Sequence, residues 1–157
     1  MQNFEAILAE HHLFKDLAQR YLKLIAGCAS YVRFKSGQVI FREGEEVNNF
    51  YIIRQGKVTL ELTFVIGEKP TVIQTIGEGD VLGWSWLFPP YRGRLDARAV
   101  EHTEAIALDG KYLRTKCEED QNLGYELTKR FANIMQQRFH AIRQLQLLER
   151  HKKDYDL

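Results

Sequence analysis

Residues 34–64 read FKSGQVIFREGEEVNNFYIIRQGKVTLELTF, and this stretch decides the fold. Near its end, Val58, Leu60, Leu62 and Phe64 alternate with polar residues. A period of two residues predicts a β-strand with one face on a core and the other in water. Short apolar runs of the same kind recur, separated by glycines that supply the backbone angles turns require. These runs are Val39–Phe41, Phe50–Ile53, Thr71–Ile76, Leu95–Val100 and Thr103–Leu108. Many short strands with turns between them predict an antiparallel jelly roll, a double-stranded β-helix.

The segments on both sides of this β-region have a helical period. Apolar residues from Leu17 to Ile25 follow a spacing of three and four, and Asp109 can cap a short helix running through Cys117. Asp120 or Asn122 can cap a long helix after it. We therefore predict one domain over residues 1–157, mainly β with flanking helices. It has N-terminal helices in 1–30, the β-roll in 31–109, and C-terminal helices including a dimerisation helix in 110–157.

Composition limits the class of protein. The chain has 157 residues, a net charge of +1 and 45% hydrophobic residues, which suits one globular domain and excludes a polycation. It has no apolar run long enough to cross a bilayer and no secretory leader, so we expect a cytoplasmic protein without membrane contact. The two cysteines, Cys28 and Cys117, are too far apart in sequence to form a metal-binding motif.

Motifs of known catalytic chemistry are missing from the sequence. We find no nucleophile elbow, zincin motif or phosphate-binding glycine loop. Of the five histidines only His102 falls in the β-region, and one histidine cannot form a catalytic metal site. We therefore expect no enzyme, no metal and no resident cofactor, although a small anionic or nucleotide ligand is compatible with the fold.

The quoted stretch resembles the cyclic nucleotide-binding domain family. The resemblance rests on Gly37, Gly44, Phe50, Tyr51 and Gly56 at the family's spacing, and extends over about residues 13–148. It implies an eight-stranded jelly roll with flanking helices. Within this family, the sequence resembles the effector domain of bacterial catabolite-activator and fumarate–nitrate regulators. Those regulators continue into a helix-turn-helix, whereas this sequence ends at Leu157, so we expect a sensor domain without that module.

The resemblance also points to a ligand site with an altered chemistry. In the family, a short helix opening Gly-Glu-Leu binds the ribose through the Glu, and backbone amides and a later Arg bind the phosphate. Here Trp84 stands at the Glu position, and an indole can donate but not accept a hydrogen bond. Either Arg92 or Arg94 can take the position of the phosphate arginine. The predicted ligand residues are Gly83, Trp84, Ser85, Trp86, Arg92 and Arg94.

An apolar stripe on the last helix has a heptad-like spacing. Its residues are Leu127, Phe131, Ile134, Leu145 and Leu148, with Arg138 in mid-seam. One interpretation is that the first half packs on the β-roll. Because a helix of about 30 residues is ~45 Å long and exceeds a small domain, we predict that the stripe, including Arg138, forms a homodimer.

We expect these features to give a stand-alone regulatory sensor that does not bind cAMP in the usual way and takes another small anion. The partners would be a second copy and an output protein of unknown identity. The alternative is a transcription-regulator-like protein that contacts DNA through its basic last helix. Specific DNA binding is not expected, since no helix-turn-helix follows to contact base edges.

Overall fold

The computed structural model describes residues 3–155, except for the side chains of Leu145 and residues 153–155. Two helices come first, α1 (Phe4–Glu10) and α2 (Gln19–Gly27). Eight strands follow: β1 (Ala29–Phe34), β2 (Val39–Phe41), β3 (Asn49–Gln55), β4 (Val58–Leu62), β5 (Thr71–Ile76), β6 (Val81–Leu82), β7 (Asp96–Ala99) and β8 (Thr103–Asp109). A single 3-10 turn, Ser85–Leu87, separates β6 from β7. The chain continues into α3 (Gly110–Glu119) and α4 (Gln121–Tyr155).

The strands form two four-stranded sheets, in the orders β1-β8-β3-β6 and β2-β7-β4-β5. Every pairing between neighbouring strands is antiparallel. The inner faces enclose a core of Ile53, Val58, Leu60, Ile76, Leu82, Ala97 and Ala105. The predicted jelly roll with flanking helices is confirmed, because these inward-facing residues alternate along the strands as the sequence pattern requires.

Strand β4 differs from its prediction. Its polar residues Thr59 and Glu61 are buried rather than wet, since Arg98 from β7 lies over them with its Nε 3.4 Å from Glu61 Oε1. Thr59 Oγ1 also donates a hydrogen bond of 2.9 Å to Glu61 Oε1. Phe64 lies beyond the end of the strand and is 74% exposed. The predicted wet face is therefore wrong, because a cross-strand ion pair covers it.

The helices cover the outer face of the first sheet and form a second core. Phe50, Ile52, Ile106 and Leu108 from β3 and β8 pack there against helix residues. The first half of the predicted dimer stripe, Leu127, Phe131 and Ile134, is buried in this core. These three residues are therefore unavailable to a partner. The predicted dimer seam is wrong over this half, and the alternative that it packs on the β-roll is confirmed.

Hydrogen bonds at the helix ends explain where the C-terminal helices begin. Asp109 accepts from the backbone N–H of Tyr112 at 3.0 Å, which caps α3 as predicted. Asp120 accepts from the backbone N–H groups of Asn122 and Leu123, so it, and not Asn122, caps α4. Among the described residues, no helix combines the length and apolar character that a bilayer crossing requires.

Candidate ligand site

The segment between β6 and β7 connects one sheet to the other across the mouth of the roll. We call residues 83–95 the cassette segment. It begins at Gly83, where a φ of +91° favours glycine. The backbone also lies close to the Asn49 carbonyl, since a Cβ at this position would be 3.4 Å from that oxygen. The chain then forms the 3-10 turn at Ser85–Leu87 and enters β7 at Asp96. This path places side chains of both ends of the segment beside the interior of the roll.

A small cavity lies beneath the cassette segment. It has a volume of about 30 Å³, which matches one water molecule in the liquid. Its lining comprises Phe41, Leu60, Leu82, Gly83, Trp84, Ser85, Arg94, Leu95 and Arg138. A more open recess of about 280 Å³ adjoins it and is lined by Trp84, Ser85, Phe88, Arg92, Arg94 and Met135. Five of the six predicted ligand residues therefore come together, and Trp84, Ser85 and Arg94 face both spaces.

Trp86, the sixth predicted ligand residue, lies elsewhere. It is fully buried in the core under the helices, where its ring stacks on Phe50 at 5.0 Å and meets Phe131 edge-on at 5.3 Å. Arg114 donates a hydrogen bond to its backbone carbonyl. Its predicted place in the ligand site is wrong, because its ring fills the core and anchors the cassette segment to α4.

The two candidate arginines of the cassette segment, Arg92 and Arg94, differ in their contacts within the chain. Arg92 is exposed and its Nη1 donates a 2.8 Å hydrogen bond to the Gly44 carbonyl. Arg94 lines both the inner cavity and the open recess. Arg94 is therefore better placed than Arg92 to meet an anion that enters through the recess.

Arg138 is the site residue that sequence reasoning placed elsewhere. It lines the inner cavity from α4, and only 8% of its surface is exposed. Burial lowers the pKa of its guanidinium to about 10, an effect that the Asp80 carboxylate partly opposes. Its guanidinium carbon lies 5.1 Å from the centre of the Trp84 ring. Within the described part of the chain it makes no hydrogen bond and no ion pair. The sequence signal was present, since an arginine interrupts an otherwise apolar stripe.

The polar groups of the inner cavity are donors or are positively charged. Arg94 and Arg138 carry the charge, the Ser85 hydroxyl can donate, and the Trp84 indole is a donor only. None of the lining residues carries a carboxylate. Over residues 3–155 no group of three acidic, histidine or cysteine side chains could hold a metal ion. Such a lining suits an oxyanion, which accepts several charge-assisted hydrogen bonds at once.

Comparisons with known proteins identify the family. The model of the cyclic nucleotide-binding domain matches residues 31–120. A protein of Geobacter metallireducens GS-15 described as cyclic nucleotide-binding has a similar structure, with 27% identity and a TM-score of 0.78. The match covers 89% of this chain and all of that one.

Among curated proteins, the CRP-like cAMP-activated global transcriptional regulator of Mycobacterium tuberculosis is 25% identical over 111 residues, which cover 71% of this chain and 49% of the regulator. Human cGMP-dependent protein kinase 2 is 29% identical over 82 residues, or 52% of this chain and 11% of the kinase. This chain thus matches only a part of each of these larger proteins. Since the family model extends over more than half of the sequence, the chain belongs to the cyclic nucleotide-binding domain family.

Proposed function

We propose that this chain is a regulatory sensor domain whose cassette segment binds a small oxyanion in place of a cyclic nucleotide. The observation that carries the proposal is the Arg138 side chain, which is only 8% exposed, lines the cavity and makes no hydrogen bond or ion pair among the described residues. A largely desolvated cation is destabilising, and an anion in or at the mouth of the cavity would offset that cost. Arg94 and Ser85 line the same cavity and supply further donors.

The same cavity is poorly suited to a cyclic nucleotide. Pockets for molecules of drug size are usually about 300–1,000 Å³, whereas this cavity is about 30 Å³. A ribose hydroxyl in a closed pocket needs an acceptor. The donor-only indole of Trp84 stands where the family has a carboxylate, which leaves the Ser85 hydroxyl as the side-chain acceptor in the lining. Trp84 also lies over Arg138, so the two side chains together occupy space that a sugar would need. Phosphate and sulfate exceed the one water molecule that the inner cavity holds, but they match its charge and are small enough to bind at its mouth, in the adjoining recess of about 280 Å³ that Arg94 also lines.

A second copy of the chain is the proposed partner. The part of α4 around and beyond Arg138 carries apolar side chains at a heptad-like spacing, namely Met135, Phe139 and Ile142. Phe139 is 68% exposed, and Leu147 and Leu148 further along the helix are also exposed. A helix of 35 residues is ~52 Å long, which extends its second half beyond the roll. We infer that dimerisation uses this face. Leu148 of the predicted seam lies on the opposite side of α4 from Phe139, since the two are nine residues apart at about 100° per residue.

This arrangement also gives the sensor a way to signal. Arg138 belongs to the same helix as Phe139, so an anion held by its guanidinium contacts the element that carries the proposed dimer face. A ligand shifts an equilibrium between two states only through its different affinity for them. An anion that binds Arg138 would therefore favour the position of α4 in which the guanidinium faces the cavity.

The experiment is a thermal-unfolding series with sodium phosphate, sodium sulfate, cAMP and cGMP at constant ionic strength. Phosphate or sulfate is expected to raise Tm, since a ligand at 100 times its Kd adds about 2.7 kcal/mol. The shift should disappear in Arg94→Met and Arg138→Met. Arg33→Met is the matched control, because Arg33 is an exposed strand residue whose one ion pair within the described residues is with Glu104. A larger shift with cAMP than with phosphate would contradict the proposal.

A further inference from the structure

Arg138 also forms part of a second cavity, separate from the cassette segment. This polar recess has a volume of about 180 Å³ and lies between β5, the turn before β6, and α4. Its lining comprises His12, Gln74, Ile76, Asp80, Val81, Ile134, Gln137, Arg138 and Ala141. Arg138 is the one residue that it shares with the inner cavity.

Two polar groups in the wall of the polar recess lack partners. Gln74 Oε1 is buried and accepts no hydrogen bond within the described residues. Gln74 pairs in register with Leu60, so its side chain lies on the same face of the sheet as that core residue. Arg138 lines the same recess and donates no hydrogen bond within the described residues. Because buried polar groups are normally satisfied, an unmet buried acceptor and a cation without a hydrogen-bonding partner in one recess indicate a ligand that carries both complementary groups.

The Asp80 carboxylate indicates where the positive group of this ligand would lie. Asp80 lines the recess, and its Oδ2 already accepts from the Gly77 backbone N–H at 2.8 Å. Asp80 and Arg138 line the same recess and carry opposite charges, so the recess has a negative and a positive group. His12 and Gln137 complete the polar lining. A volume of about 180 Å³ admits a small organic molecule.

We propose that the polar recess binds a small zwitterion of the α-amino acid class, with its carboxylate on Arg138 and its ammonium group between Gln74 Oε1 and Asp80. A carboxylate on a guanidinium and an ammonium group on a carboxylate are both charge-assisted contacts. The site differs from the proposed oxyanion site in Gln74 and Asp80, and overlaps with it at Arg138. A carboxylate bound in the polar recess therefore competes with the oxyanion site for the Arg138 guanidinium, or turns the guanidinium away from that site.

The test is a thermal-unfolding series with L-alanine and L-serine, each against propionate and propylamine at the same concentration. We expect both amino acids to raise Tm, whereas the acid or the amine alone does not. Gln74→Met, which keeps the side-chain length, and Asp80→Asn should each weaken amino acid binding at least tenfold in calorimetry. Circular dichroism and the Tm of each ligand-free variant show whether it folds.

Arg94→Met separates this site from the oxyanion site. It should leave the effect of L-alanine intact while removing the effect of phosphate, and Gln74→Met should do the reverse. Equal stabilisation by propionate and L-alanine would overturn the proposal, since the ammonium group would then contribute nothing. Absence of any effect of both amino acids on the wild-type protein would overturn it as well, whatever phosphate does.

Discussion

Replacing Arg138 by methionine is expected to make the protein more stable while removing its response to anions. Arg138 is 8% exposed, and burial lowers the pKa of its guanidinium from its usual value to about 10. Since one pKa unit corresponds to about 1.4 kcal/mol, burial disfavours the charged form in the folded state by about 3 kcal/mol. The contact with the Trp84 ring returns about 1 kcal/mol. Methionine keeps an unbranched apolar side chain in the same space, so the net gain is about 2 kcal/mol.

The sign of this effect depends on pH in a defined way. A group whose folded pKa lies below its unfolded pKa destabilises the fold wherever it is protonated in both states. The penalty of Arg138 is therefore complete at pH 7 and falls only as the pH rises above about 10. At neutral pH the whole difference between wild type and Arg138→Met should be visible.

Urea unfolding followed by tryptophan fluorescence measures the gain, because Trp84 and Trp86 lie in the cassette segment and the core beneath it. A gain of about 2 kcal/mol corresponds to roughly 4–8 °C in Tm for a domain of this size. Arg94→Met is the control, since Arg94 is exposed and should change stability by less than about 0.5 kcal/mol. A decrease of 1 kcal/mol or more in the free energy of unfolding of Arg138→Met would contradict this prediction, because it would mean that the guanidinium has a stabilising partner within the fold.

Three further predictions follow from other parts of the structure. Gly110→Ala should destabilise the protein by about 2 kcal/mol in urea unfolding, because the new Cβ would lie 2.7 Å from Trp86 Cβ and 2.8 Å from the Asn48 carbonyl; Gly27→Ala, with open space around it, is the control. Lowering the pH from 7.5 to 5 should reduce Tm more in wild type than in His11→Gln. Burial lowers the pKa of His11 below 6.5, so the unfolded chain binds the proton more readily than the folded one. In the folded protein the neutral ring donates from Nε2 to the Gly79 carbonyl and accepts at Nδ1 from the Leu13 N–H. An equal pH dependence of the two proteins would contradict this. Phe139→Asp should give a monomer of 18.4 kDa in light scattering at a concentration where wild type is a dimer, with Tyr125→Asp as the control on the first half of the helix; a monomeric wild type would remove the proposed dimer.

The residues themselves show how much the sequence could predict. The jelly roll was predictable because inward-facing apolar residues, such as those of β3 and β4, repeat with a period of two between turn glycines. The caps at Asp109 and Asp120 were predictable because they depend only on neighbouring residues. The burial of Glu61 was not, since Arg98, which covers it, comes from a strand far away in the sequence.

At the candidate site, too, contacts between residues close in sequence were predictable and contacts between distant residues were not. The cassette segment places Trp84, Ser85 and Arg94 together because they are close in sequence. The heptad-like stripe on α4 was correct as an apolar surface, but its pattern cannot distinguish a partner from the chain's own core, and Phe131 packs on Phe50 within the chain. Arg138 interrupts that stripe because the cavity lies opposite it, a relation that only the three-dimensional structure reveals. Contact with DNA through the basic last helix stays an untested alternative.

The most direct test of the oxyanion site is isothermal titration calorimetry of sodium phosphate and of cAMP into the same preparation of the wild-type protein. Leaving a ribose hydroxyl without an acceptor costs about 1–3 kcal/mol, and losing a charge-assisted bond costs more, which weakens cAMP binding by about one to three decades. We expect saturable heat with phosphate that disappears in Arg138→Met, and no saturable heat with cAMP at micromolar concentration. Micromolar or tighter binding of cAMP would contradict it, because another residue would then have replaced the acceptor that Trp84 lacks.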